Sequence, residues 1–193
     1  MAEAATAGRV SPLAGLAVTG THGPVGEGGP GVALSTRTDL SLWQVAAWPE
    51  TTAAVAARLG ESVGAAAPAP GRVAAGAGGA LVRVGPLKWW VVDGARPAFD
   101  PAEAVTLDLS HEQTPIRVEG REAAALLARI VALDLRDAAF PAGAFAATGG
   151  HHAMLKLWRR DATAYELFAM RSFARHVWET LAHHAVQFGL AIR

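Results

Sequence analysis

Asp108, Ser110 and His111 together supply the residue types of a hydrolytic triad. The chemistry on offer is a serine made nucleophilic by a histidine that a carboxylate orients, which requires the three groups to converge in space. On a strand His111 points away from Ser110, and no Gly-rich nucleophile elbow surrounds the serine. The run reads instead as a polar turn fixed by Asp and Ser side-chain hydrogen bonds. Histidines offer metal ligation, and five of the seven fall late in the chain, at His151, His152, His176, His183 and His184. His151 and His152 are adjacent at a strand entrance and diverge. His176 and His183 share a helix face but lie two turns apart, roughly 10 Å at the helical rise. His183 and His184 splay, so no intrinsic metal site is expected. Phosphate binding has two textual candidates. Gly26-Glu27-Gly28-Gly29-Pro30-Gly31 fits GxGxxG, but no strand precedes it and the strand-like Val32-Ala33-Leu34 follows, the reverse of a dinucleotide fingerprint. Gly76-Ala77-Gly78-Gly79 feeds a strand rather than a helix, and no Walker motif is present. No catalytic, cofactor-binding or metal-ligating residue is therefore assigned to this chain.

Composition narrows the function classes further. With 193 residues, one large domain or two small ones can form, and folding could bury about 70% of the unfolded surface. The absence of cysteine excludes disulfides, thiolate chemistry and Cys-ligated clusters, and fits a reducing compartment. Lys plus Arg and Asp plus Glu each number 17, so no global field favours nucleic acid. No leader pattern and no spanning apolar run is seen, and a cytoplasmic protein without membrane contact is expected. Charge is locally uneven. From Gly150 onward Lys156, Arg159, Arg160, Arg171, Arg175 and Arg193 outnumber Asp161, Glu166 and Glu179. That end is either a solvated face or a surface that docks on an acidic partner.

The elements that position these residues are read from periodicity. Residues 1–31 are rich in Ala, Gly and Pro and are expected to be a flexible N-terminal arm, either mobile or ordered by a partner. Asp39 to Ala47 reads as a strand. Pro49 suits a first helical position and Glu50 its positive end; Val55 and Leu59 share a face, and Gly60 is a stop. Ser62 to Ala80 reads as a surface loop, followed by a hairpin of Leu81–Val84 and Trp89–Val92. The stretch from Val105 to Leu135 organises the rest. Val105, Leu107 and Leu109 alternate, a polar turn spans 110–114, and Ile116 and Val118 resume the alternation. After Gly120 the pattern Ala123, Leu126, Leu127, Ile130 is one helix face. Phe140 to Gly149 is loop-like, and His152–Arg159 with Ala164–Met170 forms a second hairpin. Ser172 can cap a last helix carrying Phe173, Val177, Leu181, Ala185 and Phe188, ended by Gly189. The expected fold is α+β and ferredoxin-like, with two related strand-strand-helix-hairpin units sharing one core. The single domain spans 32–193, with halves of about 32–98 and 99–193.

Trp89 and Trp90 are neighbours on a strand and must point to opposite faces. Leu155 and Leu157 face one side of the last hairpin, and Met154, Lys156 and Trp158 the other. Both faces carry large apolar groups, so the sheet is covered on both sides within the chain, or one face is covered by another subunit. On the second reading Trp90, Trp158, Arg171 and Arg175 are the candidate partner-interface residues.

An ordered set of blocks resembles the gamma subunit of heterotetrameric sarcosine oxidase. They are Ser11-Pro12-Leu13, Trp43-Gln44-Val45 through Trp48-Pro49, Gly85-Pro86 with Trp89-Trp90-Val91-Val92, and Asp108-Leu109-Ser110-His111. The series continues through Ile116-Arg117-Val118, Leu133-Asp134-Leu135, Phe140-Pro141-Ala142-Gly143, Tyr165-Glu166-Leu167 and Arg171-Ser172-Phe173-Ala174, so it spans about residues 11 to 189. The resemblance implies a structural subunit of a complex that oxidatively demethylates sarcosine to glycine, giving formaldehyde or methylenetetrahydrofolate, and hydrogen peroxide. It further implies larger alpha and beta flavoprotein subunits and a small delta subunit, which hold FAD, FMN, NAD and tetrahydrofolate. The implied scaffold is that of the folate-binding aminomethyltransferases. Those enzymes carry acidic residues shortly after a Gly-Gly pair. Aligned on Gly149-Gly150, this chain places His151, His152, Ala153 and Met154 there, so the scaffold is expected to have lost its chemistry. Two other functions share these features: a free folate or one-carbon binding protein, and the equivalent subunit of an N-methyl amino acid dehydrogenase.

Overall fold

In the computed structural model, which describes residues 10–193, the alternating stretches become strands of two facing sheets. The first half contains β2 (Val32–Thr36), β3 (Leu42–Ala47), α1 (Thr52–Val63), β4 (Val73–Gly76), β5 (Gly79–Gly85) and β6 (Lys88–Val92), preceded by β1 (Gly20–His22). The second contains β7 (Ala104–Asp108), β8 (Gln113–Glu119), α2 (Ala123–Leu127), β9 (Phe145–Gly150), β10 (Ala153–Arg159) and β11 (Ala164–Met170). It closes with α3 (Ala174–Ala185), a 3-10 turn at Val186–Phe188 and β12 (Leu190–Ile192).

The five-stranded sheet runs β4-β5-β6-β3-β7, and the seven-stranded sheet runs β1-β12-β2-β8-β11-β10-β9. The order β4-β5-β6-β3 of one half recurs as β9-β10-β11-β8 in the other. The fifth place in each is taken by the leading strand of the opposite half: β7 pairs antiparallel with β3, and β2 with β8. The halves thus exchange their first strands, and the boundary near residue 98 does not separate the sheets.

Period-2 patterning assigns each face to a layer. Val55, Leu59 and Val63 of α1 pack with Val45, Leu81, Trp89 and Val91 on the outer face of the five-stranded sheet. Leu126 and Leu127 of α2 and Val177, Trp178 and Leu181 of α3 cover Leu34, Ile116, Val118, Leu157, Tyr165 and Leu167 on the outer face of the other. Between the sheets lie Leu42, Val82, Trp90, Val92, Leu109, Phe145, Trp158 and Phe168. Trp90 meets Phe145 and Phe168 edge to face, with ring centroids 6.2 and 5.8 Å apart. At about 25 cal/mol per Å², burying one such aromatic contributes about 4–6 kcal/mol, an upper bound.

Several local expectations are revised. Residues 10–31 are fixed to the body of the chain at two places, since Leu13 is 1% exposed within the helix-side core and β1 pairs with β12, while residues 21–28 are exposed. The arm expectation for residues 1–9 lies outside the described residues. The helix starts at Thr52, after Pro49, and passes through Gly60 to end at Gly64, whose φ of 74° suits the glycine. Gly60 serves close packing instead, since a Cβ there would sit 2.7 Å from the Ala65 carbonyl oxygen. Phe173, not Ser172, is the N-cap of α3, with no side-chain cap. β4 and β9 form where loops were expected; their backbones pair although their Gly and Ala residues give little apolar pattern.

Candidate functional site

The hairpin between β9 and β10 carries the segment that the resemblance aligns with catalytic carboxylates. Gly150 pairs with Ala153, so His151 and His152 are its two central residues, with φ of 43° and 66°. Positive φ at both centres is the type I′ turn, for which Asn-Gly is the preferred pair. Ala153 faces the helix-side core, and Met154, 61% exposed, faces the other way. The hairpin carries no carboxylate. Its histidines meet α3: His176 Nε2 donates to the His151 carbonyl oxygen at 2.9 Å. The His151 ring lies 5.7 Å from His184, and His183 lies 5.3 Å from His184 at 81°. His183 and His184 therefore do not splay as expected. Burial, followed by the charges of His183, His151 and Arg129, lowers the His184 pKa. Among the described residues, no group of three or more His, Cys, Asp or Glu side chains is placed to hold a metal.

Asp108, Ser110 and His111 form a turn. The Ser110 N–H donates to Asp108 Oδ1 at 2.8 Å, and Ser110 Oγ accepts the Leu42 N–H at 2.9 Å. The serine joins β3 to the β7–β8 connection, and no His–Ser hydrogen bond is formed.

A polar cluster around the buried Glu166, which period and spacing do not reveal, joins the two sheets. Glu166 of β11, 3% exposed, accepts hydrogen bonds from Arg160 at 2.8 Å and Arg37 at 3.4 Å. Arg37, on the β2–β3 connection, also reaches Asp93 at 2.6 Å and Asp39 at 3.2 Å. Burial opposes the Arg37 charge. The hydrogen bond and charge of Asp93, the Glu166 charge and the Asp39 hydrogen bond outweigh it, and the pKa lies above the usual arginine range. Asp93 follows β6 with φ of 56°, a conformation that Asp tolerates, and its N–H is tied to the Ser41 carbonyl at 2.7 Å. Ser35, Thr36, Arg37, Pro115, Arg117 and Glu166 line a space of about 80 Å³. Ligand pockets are typically about 300–1,000 Å³, so this one fits a clamp better than a cofactor site. The available signal was Glu166 itself, a charge sharing its strand face with the inward-facing Phe168.

A buried arginine fixes the far end of the hairpin. Arg159, 4% exposed, donates to the carbonyls of Phe140 at 2.7 Å, Ala162 at 2.9 Å and Asp161 at 3.1 Å, and pairs with Asp137 at 2.6 Å. Lys156 lies over the Trp90 ring at 4.7 Å; burial lowers its pKa, and the Glu112 charge partly opposes that shift.

The surface assignment of Trp90 and Trp158 is corrected. They are 1% and 5% exposed, because Trp90 fills the inter-sheet core and the Arg160 guanidinium covers Trp158 at 4.0 Å. Arg171 and Arg175 are exposed. Arg171 donates to the Val10 carbonyl at 2.7 Å, and Arg175 pairs with Glu179 one turn along α3 at 2.9 Å.

Two facing sheets with outer helices and exchanged leading strands define an α+β fold of the aminomethyltransferase type. Solved structures with this fold include a chain of the heterotetrameric sarcosine oxidase from Corynebacterium sp. U-96, in complex with pyrrole 2-carboxylate. That likeness has a TM-score of 0.76 at 24% identity and covers 93% of this chain and 96% of that one. The glycine cleavage system aminomethyltransferase T from Bartonella henselae is also similar, at TM-score 0.54 and 16% identity, over 82% of this chain. The likeness spans about half of that protein, 49% of its chain. No family model and no curated protein matches this sequence. Both solved structures share the fold of this chain.

Proposed function

We propose that this chain is the non-catalytic, gamma-type subunit of a sarcosine-oxidase-like complex that oxidatively demethylates an N-methyl amino acid in the cytoplasm. The observation that carries the reading is the near end-to-end likeness, 93% of one chain on 96% of the other, which makes the matched sarcosine oxidase chain a small subunit of nearly this length. In the assembly, alpha and beta flavoprotein subunits hold FAD, FMN, NAD and tetrahydrofolate, with a small delta subunit beside them. This chain contributes shape and adhesion through its arginine-bearing surface, Arg171 and Arg175 included.

Folate chemistry does not fit the residues present here. The segment after Gly149-Gly150 carries no carboxylate, and Ala153 and Met154 can neither take up a proton nor pair with a folate amine. No step is assigned to that group in this chain.

The test is expression of the chain together with its neighbouring genes, followed by mass measurement and a visible spectrum. Co-purification with flavin-bearing subunits and amine oxidation by the whole assembly are expected. Turnover of an amine or a one-carbon donor by the chain alone would overturn the reading. Tight tetrahydrofolate binding by the chain alone would favour a free one-carbon binding protein.

A further inference from the structure

We propose that His151 and His184 form a two-histidine site for a divalent transition metal that prefers imidazole, such as zinc, and that the ion clips the β9–β10 hairpin to α3. This goes beyond the subunit reading above and does not rest on it.

The two rings come from different elements and meet on an open face. His151 is exposed at the tip of the hairpin, and His184 is half-buried in the last turn of α3. Their centroids are 5.7 Å apart, with the ring planes at 52°. A tetrahedral ion with metal–nitrogen bonds of about 2.0–2.1 Å brings two imidazole centroids to about 5 Å, so a ring movement of less than about 1 Å closes the pair. Among the described residues neither ring is hydrogen-bonded, which leaves a nitrogen lone pair on each neutral ring for a metal.

The hairpin is placed on the helix without help from the rings. His176 donates to the His151 carbonyl oxygen at 2.9 Å, about two turns before His184 on the same helix, and the Ala132 N–H donates to the Gly149 carbonyl at 3.3 Å. Fixing the tip in advance removes much of the ordering cost of binding. The backbone adds a second observation. His151 and His152 hold φ of 43° and 66°, where Asn-Gly would sit without strain, and strain of this kind gathers at ligand clamps. Histidine at 151 gives the hairpin a ring that Asn-Gly lacks.

The surroundings choose the ion. Among the described residues no carboxylate contacts either ring, and the charges that reach His184 are those of His183, His151 and Arg129. Mg²⁺ and Ca²⁺ call for oxygen ligands, whereas imidazole suits zinc, copper and nickel. His183 meets His184 edge to face at 5.3 Å, and three donors do not converge. Two protein ligands, with water in the remaining positions, is the arrangement these rings permit.

Zinc titration of the full chain at about pH 7.5, where the rings are neutral, tests the assignment. Saturable one-to-one binding with a dissociation constant below about 100 μM is expected, with a thermal midpoint that rises with zinc and not with magnesium. His151→Asn and His184→Asn are each expected to weaken binding at least about tenfold, whereas the double variant His22→Asn, His111→Asn keeps it within about twofold. Asn tolerates positive φ, so the first variant retains the hairpin, and the metal-free unfolding midpoint of each variant checks its fold. In the wild-type chain zinc should shift the ring resonances of His151 and His184 and leave those of His22 and His111 in place. Absence of saturable zinc binding overturns the proposal. Unchanged affinity in either single variant, ring shifts confined to other histidines, or equal stabilisation by magnesium does so as well.

Discussion

Trp90 and Phe168, on β6 and β11, meet edge to face at 5.8 Å and join the two sheets at the centre of the molecule. Each is at most 1% exposed, and each belongs to a different half of the repeat. The contact is where the two halves become one domain. Trp90→Ala is expected to cost about 3–5 kcal/mol, from lost burial plus the residual cavity. Trp90→Phe should cost less, because one edge-to-face partner is worth about 0.5–1.5 kcal/mol beyond its area. Urea unfolding checks both values. A loss for Trp90→Ala below about 1 kcal/mol would place this residue outside the core.

Glu166 is the electrostatic counterpart of that contact. It holds Arg160 from its own hairpin and Arg37, which in turn holds Asp93 at the end of β6. Glu166→Ala removes the buried counter-charge of two partly exposed arginines, and because Arg37 keeps Asp93 and Asp39 the expected loss is about 1–3 kcal/mol. Arg175→Ala, which breaks an exposed pair with Glu179, should cost no more than about 0.5 kcal/mol. In a double-mutant cycle, Arg37→Met and Glu166→Ala should couple by at least about 0.5 kcal/mol, whereas Arg175→Ala and Glu166→Ala should add.

Arg159 tests whether charge alone matters at a buried site. Its guanidinium meets three carbonyls and Asp137, a planar fan of donors that an ammonium cannot reproduce. Arg159→Lys keeps the charge and is nevertheless expected to lose about 2 kcal/mol or more, because carbonyls that were paired lose their donors. A loss under about 0.5 kcal/mol in thermal or urea unfolding would count against that geometry.

Strand and helix positions were legible wherever one face is buried. Ile116–Val118 and the two tryptophans at 89 and 90 fall on strands with the expected facing, whereas Val105 and Leu107 lie on a strand but are half exposed and Leu109 is buried just beyond its end. β4 and β9 were not legible, because Val73–Gly76 and Phe145–Gly150 are held by backbone pairing with β5 and β10 and carry few large side chains. The strand exchange could not be read either. Period-2 alternation at Val105 and Leu107 reveals a strand but not its neighbour, and only the register with β3 shows it. For the cluster at Glu166, partners 129 residues away in sequence at Arg37 come together only through the fold.

The β9–β10 hairpin stores strain that can be removed. His151 and His152 both hold positive φ, a conformation that costs a non-glycine residue about 1 kcal/mol or more. Replacing the pair by Asn-Gly supplies the residues this turn type prefers. The expected gain is about 1 kcal/mol, read as a higher thermal midpoint. His176 donates to the His151 backbone carbonyl, so that hydrogen bond survives the exchange. A lower midpoint would mean that the ring contact with His184 outweighs the backbone strain.

The same histidines set a pH dependence whose sign follows from the His184 environment. Burial first, then the charges of His183, His151 and Arg129, disfavour its protonated form in the folded chain. In the unfolded chain the ring takes up a proton near pH 6.5, so between the two values the unfolded state binds more protons. Stability from this group is complete above about pH 6.5 and is lost as the pH falls through that value toward the lower folded one. The effect is small, because the ring is partly open to solvent. His184→Asn should flatten the fall in unfolding midpoint between about pH 7 and 5, and His183→Asn should flatten it partly by removing one opposing charge. Asp134 titrates in a separate window. The side-chain and backbone hydrogen bonds from Arg136 hold its pKa at about 2, so its contribution disappears only as the pH falls below about 4 toward that value. A midpoint that falls equally in wild type and His184→Asn between about pH 7 and 5 would refute the assignment to this ring.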